Sequence, residues 1–576
     1  MSTVATTQPS ERSSTGFQDR RPSSVDEEKQ LQASSAAPRG EIGEADGERA
    51  KPLVTPSPLV FAVSLTAIFV AESMNALDSN ALGTAAPVIA RDLDAFDAIS
   101  WLQSSYLLAS VAFMLSWGRV YASFDGKWTF VACLVIFEVG SALCGAAHNL
   151  GAFLAGRVLA GVGGGGIFVG VWTTIGYLVA PSKQAVWISM SNIVWAIWMK
   201  VGPLIAGGII KNVSWRWIFY INLPIGGVAL AALVLCLPSL PAIHAPNSAS
   251  AVLGREASLI TRIKHFDFLG LLLSGGAAVA FIYPLLVGGT QGYPWTSAKV
   301  LAPLVASPFV YTLFVASQVR PGLDPSLRTL PVQLIKRDWT IVLVLLLVAS
   351  GGLLAIAPTF FLPVFFESVK GHRPIRAAVL LLPFIIMGTI SIGATGGIVE
   401  KTRIWIPYLV GGGVLCAIGG GLLYTTDDTT HDGVFVAWQI ILGLGSGIVG
   451  NLPPIVLLGL APKELISAAS SLSALFMNYG GLVGIAVCGL LLNSKLTDFF
   501  EAHTAELATF GIGSASDLGL LGSNATMRLS PALFATFVHV VDTAFDWIWI
   551  AFVVASGLTV AFGVLSFSQW RLPVRV

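Results

Sequence analysis

The sequence predicts an all-α polytopic membrane protein of fourteen transmembrane helices, built as two six-helix bundles plus two inserted helices. Three observations carry that reading. The 576 residues are 54% apolar and only 11% charged, whereas a soluble globular surface needs about 25% charged residues. The first 56 residues hold 16 of the 65 acidic and basic side chains, which leaves 49 for the other 520. Fourteen apolar stretches then follow one another, each near the length of about 20 residues that crosses about 30 Å of hydrocarbon. A soluble enzyme, a nucleic-acid binder and a disordered scaffold are excluded on composition, and a net charge of +1 points to no polyanionic partner.

The elements follow in order. Residues 1–56 form a Ser/Glu/Arg/Pro-rich cytosolic tail with almost nothing apolar to bury, expected to be disordered. No cleavable signal precedes the first span, which is expected to insert itself. Spans near 57–82, 99–119, 127–147, 150–179, 184–210 and 217–238 make the N-terminal bundle, 57–238. Polar inner loops with Arg255, Glu256, Arg262 and Lys264, and again from Arg320 to Asp338, bracket two inserted spans near 267–289 and 300–319 within 239–337. Spans near 338–366, 376–398, 405–425, 434–460, 468–493 and 545–568 make the C-terminal bundle, 338–568, before a short cytosolic tail, 569–576. Such a layout suits two duplicated bundles facing a central cavity, though no strong internal repeat is visible.

An even number of spans places both termini on one side. Lys and Arg exceed Asp and Glu in the loops on the N-terminal side and fall below them in the opposite loops, so both termini are expected in the cytosol. The longest outer segment, about 494–544, holds the glycosylation sequon at Asn524; a second, at Asn212, lies too close to the membrane. All five cysteines (Cys133, Cys144, Cys236, Cys416, Cys488) fall in apolar stretches without a C-x-x-C pair, so neither disulfides nor a metal site is expected.

Ionisable groups inside spans are costly and point to function. Glu72, Asp78, Glu138, Arg157 and Lys200 stand out. Asp78 in span 1 and Arg157 in span 4 lie at similar depth, where they can neutralise each other. Protonating Asp78 would then break the pair, a two-state element that conformation can follow. Asp78 as a plain helix cap and Lys200 as a snorkelling side chain are the bland readings. Glu72 lies six residues before Asp78 on another helix face. Glycines at helical spacing, Gly161 and Gly165 after Arg157, and the small pairs Gly202/Ala206 and Pro203/Gly207, let helices approach closely.

Several segments resemble the motifs of one family. Leu77-Asp78-Ser79-Asn80-Ala81-Leu82-Gly83-Thr84-Ala85-Ala86-Pro87 is similar to a first-span motif LDxTIvxxALP, and Arg157-Val158-Leu159-Ala160-Gly161-Val162-Gly163-Gly164-Gly165 to a fourth-span RxxxGxGxG. Gly202-Pro203-Leu204-Ile205-Ala206-Gly207-Gly208 is similar to the core of the antiporter motif GPxxGG, and Trp215-Arg216-Trp217 with Asn222, Pro224, Gly226 and Gly227 is similar to the approach to span 6. Together these resemble the major facilitator superfamily, specifically its fourteen-span drug:proton antiporters of fungal toxin-efflux type, over about 57 to 568. Two departures stand in the same chain. Ala122 replaces the acid of the inner loop motif, where Gly118, Asp125 and Lys127 remain as the gating candidates, and Trp198 replaces an earlier glycine of span 5.

The resemblance implies the major facilitator fold and alternating access without any cofactor, driven by the proton gradient. Asp78 is implied as proton carrier, Arg157 as the partner that senses its state and Glu138 as a further coupling group; Gly161, Gly202, Pro203 and Gly207 form the moving faces. Trp172, Trp195, Lys200, Phe361, Gln439, Asn451, Asn478 and Tyr479 are candidates for the substrate cavity, whose sparse amides among apolar residues suit an amphipathic organic molecule. The expectation is a proton-coupled efflux pump for a toxin, secondary metabolite or drug, a monomer in the plasma membrane whose partners are its small-molecule substrate and the lipid bilayer. An uptake or vacuolar carrier of basic amino acids or iron chelates, and a non-transporting sensor, remain as alternatives on the same fold. A membrane enzyme is disfavoured because the seven histidines are scattered and no nucleophile with its base is evident.

Overall fold

A computed structural model describes Val54 and residues 56–95, 99–240, 266–290, 296–320, 328–510 and 530–566. The expected disorder of 1–56, the sequon at Asn524 and the tail 569–576 lie outside the described residues or almost wholly so. The described residues are almost entirely helical, with α1 (Pro58–Asp92), α2 (Ile99–Ser123), α3 (Gly126–Gly145), α4 (Leu150–Leu178), α5 (Gln184–Asn212) and α6 (Asn222–Cys236) first. Then come α7 (Phe268–Thr290), α8 (Ala298–Val319), α9 (Thr340–Ser368), α10 (Pro374–Thr402), α11 (Ile406–Tyr424), α12 (Asp432–Leu460), α13 (Ile466–Ala502) and α14 (Pro531–Leu565). Local chemistry starts several of them: Ser57, Asp125, Asn149 and Ser530 cap α1, α3, α4 and α14 through side-chain oxygens, and proline opens α1, α10, α11 and α14. Odd-numbered helices run from the end of the bundle where α1 starts, here the near end, to the far end, and even-numbered ones return.

Thirteen of the described helices are long and apolar enough to cross a membrane. The fourteenth, α2, has the length, with 25 residues, but its serines dilute its hydropathy. Ser105, Ser110 and Ser116 are buried inside the bundle, so the polarity faces protein and not lipid. Expected span 14 began at 545, yet α14 starts at Pro531, and α13 runs on to Ala502. With 37 and 35 residues these helices are about 55 and 52 Å long, well past the bilayer. Leu496 and Phe499 pack there against Leu533, Phe537 and Val541, so helix persists wherever a second apolar face is at hand. A hydropathy window sees the membrane and misses this pairing.

The helices fall into two sets of six. Within the first, α4 is the most enclosed, packed on α2 and α3, and α1 lies on α5 and α6; within the second, α12 has that place between α10, α11 and α9. The sets meet along two seams, α2 on α13 and α5 on α10. Numbered within each set of six, both seams join a second helix to a fifth, the mark of two like bundles related by a two-fold axis. The inserted pair α7 and α8 pack on each other, and α7 lies against α2 and α13 at the first seam. At the near end the seams are tight. A Cβ on Gly118 of α2 would collide with Ser471 of α13, one on Gly396 of α10 with Ser189 of α5, and Asn192 donates to Asn451 at 2.8 Å.

Candidate functional site: a buried ion pair behind a two-lobed cavity

Asp78 on α1 and Arg157 on α4 form an ion pair, Nη1 to Oδ2 at 2.6 Å, with both side chains wholly enclosed. The guanidinium also donates through Nε to the Leu102 carbonyl at 3.3 Å and stacks 4.5 Å from the ring centre of Tyr106. One carboxylate oxygen of Asp78 (Oδ1) and one guanidinium nitrogen (Nη2) keep no hydrogen-bond partner. Away from water such a pair holds only while both charges are present, because either charge alone carries a large desolvation cost. A proton on Oδ1 would therefore release the guanidinium.

Tyr106 carries the contact onward. Its hydroxyl hydrogen-bonds the side-chain oxygen of Asn75, whose amide donates to the Gly164 carbonyl at 3.0 Å. A Cβ at Gly164 would lie 2.6 Å from that Asn75 oxygen, so only glycine leaves room for the Tyr106–Asn75 bond. Gly165 does the same for the backbone of α2, with the Ser110 carbonyl 2.6 Å from where its Cβ would be. The fourth-span glycines thus close α4 onto α1 and α2 around the ion pair. Asn75 and Tyr106 were absent from the expected site. Asn75 lies one helical turn before Asp78, a spacing that signals a shared face, but a tyrosine in a span has no such marker.

Two central cavities of about 730 and 910 Å³ lie between the halves, on the far-end side of the tight seams. They share the four residues Trp195, Met199, Ile356 and Met477, which form a partition. Asn75, Ser79, Asn80, Tyr106 and Asn478 line the larger lobe; Asn192, Thr359, Thr389, Ser446 and Asn451 line the smaller. Among the described residues no Asp, Glu, Lys, Arg or His side chain lines either lobe. Asp78 and Arg157 stand one layer behind the wall, with Tyr106 and Asn75 between.

The other candidates take varied places. Glu72 is buried between α1 and α5, accepting from the Ser191 hydroxyl at 2.6 Å, with its second oxygen unpartnered. Glu138 on α3 reaches toward Gly226 of α6 with neither carboxylate oxygen hydrogen-bonded. Gly202 is pressed on α1, where a Cβ would lie 3.1 Å from the carbonyl of Leu77, the neighbour of Asp78; Pro203 lies within α5, and Gly207 is one turn further along it. Asp125 caps α3 through Lys127 and Trp128 and also accepts from Ser239, and Lys127 donates to the Val234 carbonyl at 2.8 Å. Those two residues tie their own half together, whereas Gly118 touches the other half. Of the cavity candidates, Trp195, Asn451 and Asn478 line the central lobes. Trp172 and Phe361 are packed in core clusters, and Gln439 is buried within α12 with no partner for its amide. Tyr479 turns away from the lobes to meet Tyr311. The side chain of Lys200 lies outside the described residues.

Comparison with known proteins agrees with this architecture. The family model described as Major Facilitator Superfamily matches residues 68–485. The chain is 30% identical over 514 residues to a protein named efflux pump patC from Aspergillus clavatus, covering 88% of this chain and 90% of that one. It is 29% identical over 510 residues to efflux pump DEP3 of Alternaria brassicicola, covering 87% and 86%. Among solved structures it is similar in fold to a bacterial homologue of the human lysosomal transporter Spinster, with TM-score 0.53, 14% identity and coverage of 90% and 99%. It is likewise similar to the proton:xylose symporter XylE, with TM-score 0.51, 11% identity and coverage of 82% and 96%.

Proposed function

We propose that this chain, which belongs to the major facilitator superfamily and is a transporter and not an enzyme, is a proton-coupled pump that expels a neutral, amphipathic small molecule. The observation that carries the reading is the unbroken run Asp78–Arg157–Tyr106–Asn75 from a buried carboxylate to the cavity wall. A proton on Asp78 frees Arg157, and the loss is felt at Tyr106 and Asn75, where a substrate rests. Gly202, beside Leu77, passes the same change to α5, whose seam with α10 closes the near end. Coupling has a source of adequate size. Each proton crossing with the field contributes about 2.3 kcal/mol per 100 mV, and a pH unit adds about 1.4 kcal/mol.

Substrate class follows from the lobes. Amides and hydroxyls spaced among aromatic and thioether groups suit a toxin, secondary metabolite or drug without a fixed charge. Export as the direction is supported by the names of the fungal relatives, efflux pumps patC and DEP3. With the near end cytosolic, as the positive-inside balance favours, the tight seams close the cytosolic side of a plasma-membrane monomer with both termini inside. Sealed vesicles test this. Labelled lipophilic toxins are scored with and without an imposed pH gradient, for the native chain and for Asp78→Asn. Native vesicles should accumulate at least one compound against its gradient, and Asp78→Asn should lose that while folding normally. Equal transport by the variant would remove Asp78 from the mechanism.

A further inference from the structure

A third cavity, of about 610 Å³, lies outside the central lobes, between the inserted pair and the α2–α13 seam. Its wall is nearly all apolar: Val111 and Leu115 of α2, Leu472 and Leu475 of α13, Ala278 of α7 and Val315 of α8. Neighbouring residues of the seam helices, about 100° apart around the axis, line the two different spaces. Ser110 and Met114 look into the larger central lobe while Val111 and Leu115 look into the third cavity; on α13, Asn478 faces the lobe and Tyr479 the cavity. Asn478 closes the wall between them by donating to the Met114 sulfur at 3.7 Å.

The few polar groups of this cavity are engaged with protein partners. The Tyr311 and Tyr479 hydroxyls hydrogen-bond each other, and Ser274 donates to the Leu271 carbonyl at 3.1 Å. That leaves one tyrosine proton and few acceptor sites to orient an amphipathic molecule, in contrast to the amide-lined lobes. Val315, in the cavity wall, is also 46% exposed, one turn before Val319, which is 48% exposed on the same face of α8, so the cavity borders the surface where lipid lies. A space with so apolar a lining takes up apolar matter in preference to water, and the solvent on that side is hydrocarbon.

We propose that this cavity is a binding site for one acyl chain of a membrane lipid, lodged between the inserted helices and the seam. The chain serves as a replaceable packing element behind two helices that must shift against each other. It fills a space that would otherwise cost the seam its contacts, and it conforms as α2 and α13 move. The site stands apart from the proton and substrate reading and does not depend on it.

The full chain in nanodiscs, containing a phospholipid with a photoactivatable diazirine on its acyl tail, tests the site. After illumination, labelled peptides are mapped to residues. Adducts are expected on Val111, Leu115 or Leu472, which are 1%, 4% and 1% exposed and reachable only through the cavity. In Ala278→Phe a phenyl ring displaces at least two methylenes of the chain, so those adducts should fall about tenfold. Adducts on Phe309 and Leu313 should persist and report that the variant is folded. If Ala278→Phe does not fold, Ala112→Leu fills the same space from α2. Native adducts confined to Phe309, Leu313 and other outward residues overturn the proposal, as do inner adducts that survive filling.

Discussion

The two six-helix sets share a packing plan and differ in chemistry. In the first, four ionisable side chains sit within spans: Asp78 and Arg157 paired, Glu72 on one hydrogen bond and Glu138 on none. In the second, the interior helix α12 offers Gln439, Ser446 and Asn451, and its charged Asp432 sits at the far-end start, held by His372 and Arg376. The first half thus holds a fully enclosed ion pair, whereas on α14 of the second Asp542 and Asp546 stay only half-buried, and both halves line the lobes with groups whose charge cannot change. The difference teaches that bundles of like architecture can hold their enclosed charges on one side while both contribute to the cavity wall.

The largest effect should come from separating the ion pair. Arg157→Ala leaves a buried carboxylate alone, destabilising by about 3–5 kcal/mol unless it takes up a proton. Asp78→Asn with Arg157→Leu should recover most of the melting temperature in detergent yet leave gradient-driven transport absent. Recovered transport in that double variant would mean the first half is not the seat of coupling. Next comes Trp195→Ala in the partition, which should raise KM roughly tenfold for the best substrate, a change of about 1.4 kcal/mol, with gradient dependence retained. If coupling vanished with Trp195, the separation of the partition from the buried pair would be false.

A smaller and opposite effect is expected in α12. Gln439 is buried with neither amide atom partnered, and such a group costs about 1–3 kcal/mol. Gln439→Leu should raise the melting temperature and leave transport alone; a fall in stability would show that the amide is satisfied in the folded protein. Smallest is the far-end contact of Asp92, whose carboxyl is held below its usual range by hydrogen bonds from Arg216 and then Trp215. The sign follows from that depression. Its contribution is present above the ordinary carboxylate value and disappears as pH falls through the lowered one. Asp92→Asn should flatten the acid limb of stability below about pH 4, by no more than about 0.5 kcal/mol for a pair so exposed. A larger loss at neutral pH would instead give this rim a structural role in the first half.

Much of this was legible before any coordinates. A charge in an apolar run announces itself, so Asp78 and Arg157 could be matched by depth, and GxGxG after the arginine foretold the close approach of α4. Depth along a helix is written in the sequence; azimuth is weakly written. Trp172 and Phe361 looked like cavity residues and are core, since an aromatic serves either role and only neighbours decide. Tyr106 was hidden for the same reason. The length of α14 was hidden because its first turns are stabilised by α13, a partner far away in the chain.

The four-residue partition has a consequence for selectivity. Two of its members, Met199 and Met477, are unbranched thioethers that re-form around differently shaped neighbours. Substitutions at Trp195, Met199, Ile356 or Met477 can therefore reshape the lobes and change which molecules fit them, while the buried pair behind Tyr106 stays intact.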